Sequence, residues 1–241
     1  MELETGTRAI IALAWARHLG LADSALHLAA LGESSDRVEA RNDAADTVRF
    51  LRLVGGSVLA GPGWLVDAAA EYDDEALAQE STLVRLIRDH GAMDARGTGE
   101  SALYYLDEPL DVAESDSTLV SLEAEHALAL EAECPRDDLA GVRLSDREHT
   151  FTLLAQDGHA PLAGAGYDVW EGLVADVAAI TVPELRRHGL GTYIAAVAVD
   201  EALSHVLVPQ WRAGVSHRAA HLTADELGFV LSGSLTSARI G

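Results

Sequence analysis

The sequence predicts an α/β (α+β) fold, with a mixed, mostly antiparallel sheet flanked by helices. Three observations predict it. Leu173 to Thr181 reads as an apolar strand that Pro183 stops, followed by a glycine-bearing loop, Arg186-Arg187-His188-Gly189-Leu190-Gly191-Thr192, and then a helix. In that helix Ala195, Ala198, Val199, Ala202, Leu203 and Val206 share one face, while Asp200, Glu201, Ser204 and His205 fill the other. Thr150 to Gln156 and Leu162 to Trp170 read as two strands joined by an Asp157-Gly158 hairpin turn, which makes them antiparallel neighbours.

The remaining elements follow in chain order. Thr7 to Leu31 has helical spacing, with Gly20 as a break and Asp23 or Ser24 as a cap for a second helix. Val38 to Ala40 and Thr47 to Leu53 read as strands around a polar Asn42-Asp43 turn, and Ser57 to Leu59 as a third. Gly61-Pro62-Gly63 marks a turn. Helices are expected at Trp64 to Tyr72, Asp74 to Gln79 and Ser81 to His90, then a strand at Gly97 to Tyr105. Val112 to Asp116 is acidic, has no period and reads as a linker. Leu119 to Glu133 reads as a helix that Cys134-Pro135 ends. Val208 to Arg212 is a strand, and Ala219 to Phe229 a helix with Gly228 at its C-terminal glycine position. Phe229 to Ile240 closes the sheet with one or two strands.

Composition narrows the partners. The 241 residues carry 17 basic and 39 acidic side chains, a net charge of −22, and every basic residue is arginine. High-GC codon usage and adaptation to salt both explain this, and composition does not separate them. An anionic chain repels nucleic acid and acidic membranes and attracts a cationic amine. The one cysteine, Cys134, excludes an internal disulfide and points to a reducing, cytoplasmic setting. No apolar run approaches the ~20 residues of a membrane helix, and Met1-Glu2-Leu3-Glu4 is acidic where a secretion signal is basic.

The strand–loop–helix junction carries the chemistry. A helix start leaves backbone N–H groups unpaired, with the positive end of the dipole behind them. A pyrophosphate fits there without a lysine, and glycine at 189 and 191 permits close approach and unusual dihedral angles. The spacing Arg186-x-x-Gly189-x-Gly191 after a strand resembles the acetyl-CoA pyrophosphate loop of the GNAT superfamily of N-acetyltransferases. The preceding strand, the Val208-Pro209-Gln210-Trp211-Arg212 strand and the Glu226-Leu227-Gly228-Phe229 helix exit come in the family's order. The resemblance covers roughly Val142 to Ile240.

The resemblance implies acetyl transfer from acetyl-CoA to a primary amine by direct attack, in a domain spanning 116–241. Residues 1–115 then form an α+β segment that could be a degenerate copy of the same fold. Backbone N–H groups of Arg187, His188, Gly189, Leu190, Gly191 and Thr192 would hold the pyrophosphate. The main chain of Ile180, Thr181 and Val182 would pair with the pantetheine arm, which enters where this strand splays from the next. One N–H there would meet the carbonyl oxygen. Asp176, on the strand feeding the loop, is the candidate base, against the alternative of an edge carboxylate; Glu171, Asp168 and Tyr167 are weaker candidates that would shape or attract the amine.

Two positions depart from the family pattern. Ala224 stands where many members have a tyrosine acid, and His217 where many have a cofactor-contacting asparagine. The His217/His221 pair has metal-like spacing but no third ligand in sequence, so no metal is expected. The missing tyrosine motivates the rival reading, a non-catalytic acyl-CoA-binding sensor or interaction module. The acceptor, a small molecule or a protein amine, and a homodimeric assembly are left open.

Overall fold

The structure, a computed structural model, describes residues 2–112, 118–156 and 158–241. Most of the linker expected at Val112 to Asp116, the 115/116 boundary and Asp157 of the hairpin turn lie outside the described residues. The chain folds into two compact units. One is Met1–Tyr104 with Ala213–Ala220 and Val230–Gly241; the other is Tyr105–Arg212 with His221–Phe229. Two C-terminal segments thus pack with the N-terminal strands.

The first unit opens with helices α1 (Thr5–His18) and α2 (His27–Leu31). Gly20, at φ 70°, ends the first helical run as expected. Asp23 does not cap α2; it pairs with Arg17, exposed, at 2.7 Å. Strands β1 (Arg37–Arg41), β2 (Thr47–Leu53) and β3 (Gly56–Gly61) follow, then helices α3 (Gly63–Ala68), α4 (Asp74–Leu77) and α5 (Glu80–Asp89), and strand β4 (Arg96–Tyr105). The polar turn after β1 is not a hairpin: β1 pairs in parallel with β3, and β3 lies antiparallel to β2. The Asn42 side chain closes a local turn on Ala44 N–H, and the Asp43 side chain accepts from Gly63 N–H at 2.7 Å. Those side-chain bonds carry the chain past β3 instead of folding β2 back on β1. Asp73 caps α4 through Ala76 N–H. Leu83, Leu86 and Ile87 on α5 share a core with Phe50, Leu59 and Leu65. Each such fully buried side chain contributes about 1.5–3 kcal/mol.

The second unit begins with β5 (Thr118–Ser121), α6 (Ala124–Ala132), β6 (His149–Ala155), β7 (Pro161–Trp170) and β8 (Val174–Thr181). A short 3-10 turn (Pro183–Leu185) leads to α7 (Leu190–Ser204), β9 (Val208–Gly214) and α8 (Arg218–Glu226). The single helix expected over Leu119 to Glu133 is corrected to a strand and a helix. Ser121 Oγ accepts from Glu123 N–H and bonds His126 Nδ1 at 2.7 Å, so the helix starts only at Ala124. In this unit β5, β6, β7 and β8 are antiparallel in turn, and β9 lies parallel to β8. The sheet is mixed and mostly antiparallel, with helices packed on it, as the fold class predicts.

Strand β7 is lined with small residues for a packing reason. A Cβ on Gly164 would stand 2.6 Å from Leu130 of α6 and 2.7 Å from Leu144. Ala127, Leu130, Cys134, Leu144 and Ile180 form the core there. Cys134 is therefore structural, and burial pushes its thiol pKa up. On α7 the expected face is buried at Ala195, Ala198, Val199 and Ala202. Val206 is the exception: it lies beyond the helix end, at φ 61° and 90% exposed. Helix α8 ends as expected, with Gly228 at φ 78°, Gly228 N–H on Asp225 and Phe229 N–H on Ala224. One strand, β10 (Val230–Arg239), closes the chain antiparallel to β2 in the first unit. Among the described residues no helix is long and apolar enough to cross a membrane, and no group of three or more His, Cys, Asp or Glu could hold a metal ion.

Candidate functional site

Strands β8 and β9 pair only from Val174↔Val208 to Val177↔Trp211. Beyond that point β8 continues to Thr181 without a partner on that edge. On its other edge β8 stays paired with β7 through Ala163↔Thr181. The result is a strand with one open edge, at the end that leads into the loop.

Backbone alternation decides which groups face the gap. Val182 N–H donates to the Leu162 carbonyl at 3.1 Å. Antiparallel pairing alternates. Ile180 and Ala178 therefore also direct their backbone polar groups at β7, while Ala179 and Thr181 direct theirs at the gap. Of the three residues assigned from sequence to the pantetheine arm, Thr181 is the one whose amide is open. Ile180 packs its side chain into the α6 core. Ala179 joins Thr181, and period-2 counting from a fixed β7 partner would have found it. The Thr181 carbonyl accepts from Arg186 Nε at 3.3 Å, and Arg186 is held by Asp138.

The loop meets its two glycine requirements differently. Gly189 is the N-cap of α7 at φ 78°, exposed, and no side chain caps the helix. Its neighbour Arg187 also has positive φ, 66°. Gly191 is needed for closeness: a Cβ there would stand 2.7 Å from Thr181 Oγ1. The uncapped first turn keeps the orphan donors of a helix start. Thr192 Oγ1 donates to Glu226 at 2.9 Å, which ties the start of α7 to the end of α8. His188 is exposed, with Nδ1 3.2 Å from the Leu185 carbonyl.

Asp176 sits on β8 one pair before the last β8–β9 pair, with 13% of its side chain exposed. Its Oδ1 accepts from Gln210 Nε2 at 2.9 Å and from Arg212 Nε at 3.1 Å; its Oδ2 accepts from Arg212 Nη2 at 2.6 Å. Behind it, Tyr105 donates to the buried Gln210 Oε1 at 2.6 Å. Burial disfavours the Arg212 charge, but the Asp176 carboxylate outweighs it and holds the arginine pKa above its ordinary value. Asp168, opposite Asp176 in register, pairs with Arg147. Tyr167 is buried and points away, and Glu171 is exposed at φ 51°. His217 is exposed just before α8, with its N–H on the Gly214 carbonyl, and belongs to the first unit. Ala224 is fully buried.

No family model matches the sequence, and no curated protein matches it. Solved structures resemble it in fold. A GNAT-family acetyltransferase structure from Novosphingobium aromaticivorans is 19% identical, with a TM-score of 0.47, covering 61% of this chain and 68% of its own. A Drosophila protein reaches a TM-score of 0.50 at 13% identity over 64% of this chain, which spans only 55% of that protein. A tandem GNAT protein from the clavulanic acid pathway, solved without acetyl-CoA, is 13% identical with a TM-score of 0.48; 98% of this chain and 95% of that one are covered.

Proposed function

We propose that the chain is an acetyl-CoA-dependent N-acetyltransferase acting on a primary amine. The observation that carries this reading is the open edge of β8 at Ala179 and Thr181, leading directly into an uncapped helix start at Gly189. An extended amide arm ending in a pyrophosphate fits those two features in that order. When bound, acetyl-CoA supplies the acetyl group as a thioester. Backbone N–H groups from Arg187 to Thr192 would hold its phosphates, and the Ala179 and Thr181 main chain its arm. The Ala179 amide, nearer the mouth of the gap, would stabilise the charge developing on the carbonyl oxygen.

The acceptor nitrogen attacks the thioester carbon. The C–N bond forms, the C–S bond breaks, the sulfur leaves as thiolate, and the nitrogen gives up a proton. A thiol with a pKa near 8.5 leaves readily, so the alanine at 224 is tolerable. Asp176 is already bonded to Arg212 and Gln210, which suits it to orienting Arg212 better than to accepting the amine proton. Water in the open gap is the proton acceptor this reading favours.

A second reading, an acyl-CoA-binding module without turnover, is favoured by Ala224, a position that offers the leaving thiolate no acid. The experiment is calorimetric titration with acetyl-CoA, followed by thiol release over a panel of amines. Acetyl-CoA binding with micromolar affinity and release with at least one amine are expected. Binding without release from any amine would select the second reading, and no binding would refute both.

A further inference from the structure

Arg212 is the first residue of β9 beyond its last pair with β8, Val177↔Trp211, and so it stands at the mouth of the gap. Asp176 and Gln210 are in register, and Arg212 lies two residues past Gln210, so all three side chains share one face. Trp211 takes the opposite face and is buried beside Phe229.

The guanidinium is fixed on two sides. Asp176 grips it through Nε and Nη2, and the Trp170 ring lies 5.1 Å from its carbon. Tyr105 and Gln210 hold Asp176 from behind. Of the five N–H donors of an arginine this arrangement uses two. The Nη1 end remains for a ligand, on a side chain that is 37% exposed. Arg147, a second arginine on this face, is closed: its side chain is 8% exposed, and it is bound to Asp168 and the Asp176 carbonyl.

We propose that Arg212 anchors a carboxylate on the acceptor, which makes the substrate an amino-acid-like molecule bearing both an amine and a carboxylate. This rests on the acetyltransferase reading. A pre-oriented guanidinium edge is suited to a planar carboxylate in a way a lysine is not. Asp176 then acts as a positioning residue for Arg212.

The test uses matched acceptors that differ only in the carboxylate: phenylalanine against phenylethylamine, ornithine against putrescine, lysine against cadaverine. Thiol release should favour the carboxylate-bearing member of at least one pair by about 10- to 100-fold in kcat/KM, the range of one charge-assisted hydrogen bond. Arg212→Gln should reduce that ratio to near one through the acceptor KM, and Arg212→Lys should restore little of it. The KM for acetyl-CoA should not move in either variant, and thermal melts check that both fold. Equal rates across every pair, or a preference that survives Arg212→Gln, overturns the proposal while leaving acetyl transfer standing. If no amine releases thiol, calorimetric binding of the same amino acids decides: affinity that needs both the carboxylate and Arg212 supports the anchor, and its absence refutes it.

Discussion

Tyr167 is fully buried on β7, and its hydroxyl has no hydrogen-bond partner. Its ring stacks on His149 at 4.4 Å, so the aromatic body is used while the polar tip is not. Burial first, and the Glu201 charge second, push its pKa up to about 12. The unfolded value is near 10. A folded pKa above the unfolded one means that the stability is whole below pH ~10 and is lost as pH rises toward ~12. We predict that Tyr167→Phe is neutral or stabilising by about 1 kcal/mol at pH 7, because an unsatisfied buried hydroxyl is removed. The variant should also lose less stability than the parent between pH ~10 and ~12. Denaturant titrations at those pH values check it; parallel pH slopes in the two proteins would mean that the hydroxyl does not ionise on unfolding.

At the scale of elements, the decisive feature is the approach of the α7 start to the end of β8. Gly191 has ordinary space on most sides, but a Cβ meets the Thr181 hydroxyl at 2.7 Å. Gly191→Ala should therefore cost about 1–3 kcal/mol, as overpacking does. In a Thr181→Ala background most of that cost should vanish, since the obstructing atom is gone. A double-mutant cycle in thermal or denaturant unfolding measures the coupling, and simple additivity would show that the glycine serves another purpose. The loop was legible in the sequence because Pro183, Gly189 and Gly191 lie within a few residues of one another. The reason for Gly191 was not, because it depends on a residue of the preceding strand folded back against it. The small-residue run at 163–166 carried a similar signal, close approach of a helix, which a strand reading alone passes over.

For the whole molecule, charge is the dominant fact. A net −22 with no lysine means that carboxylates far outnumber their possible partners, and most ion pairs here are exposed and individually worth ~0–1 kcal/mol. Self-repulsion remains, and salt screens it over a Debye length of about 10 Å at ~0.1 M. The melting temperature should rise by several degrees between ~0.05 and ~1 M sodium chloride. Calorimetric scans check this, and a flat or falling trend would show that the folded state already spaces its charges well enough.

Period, turn chemistry and composition are local, and from them the sequence by itself determined most of the elements, their order, the glycine-bearing turn into α7 and the glycine exit of α8. Beyond the β6–β7 hairpin, only the tertiary structure decided which strands are neighbours. It placed β1 beside β3, stopped the β8–β9 pairing at Val177, and brought Asp176 onto Arg212. Strand partnership depends on which faces bury together across long stretches of chain, and no short window of residues contains that information.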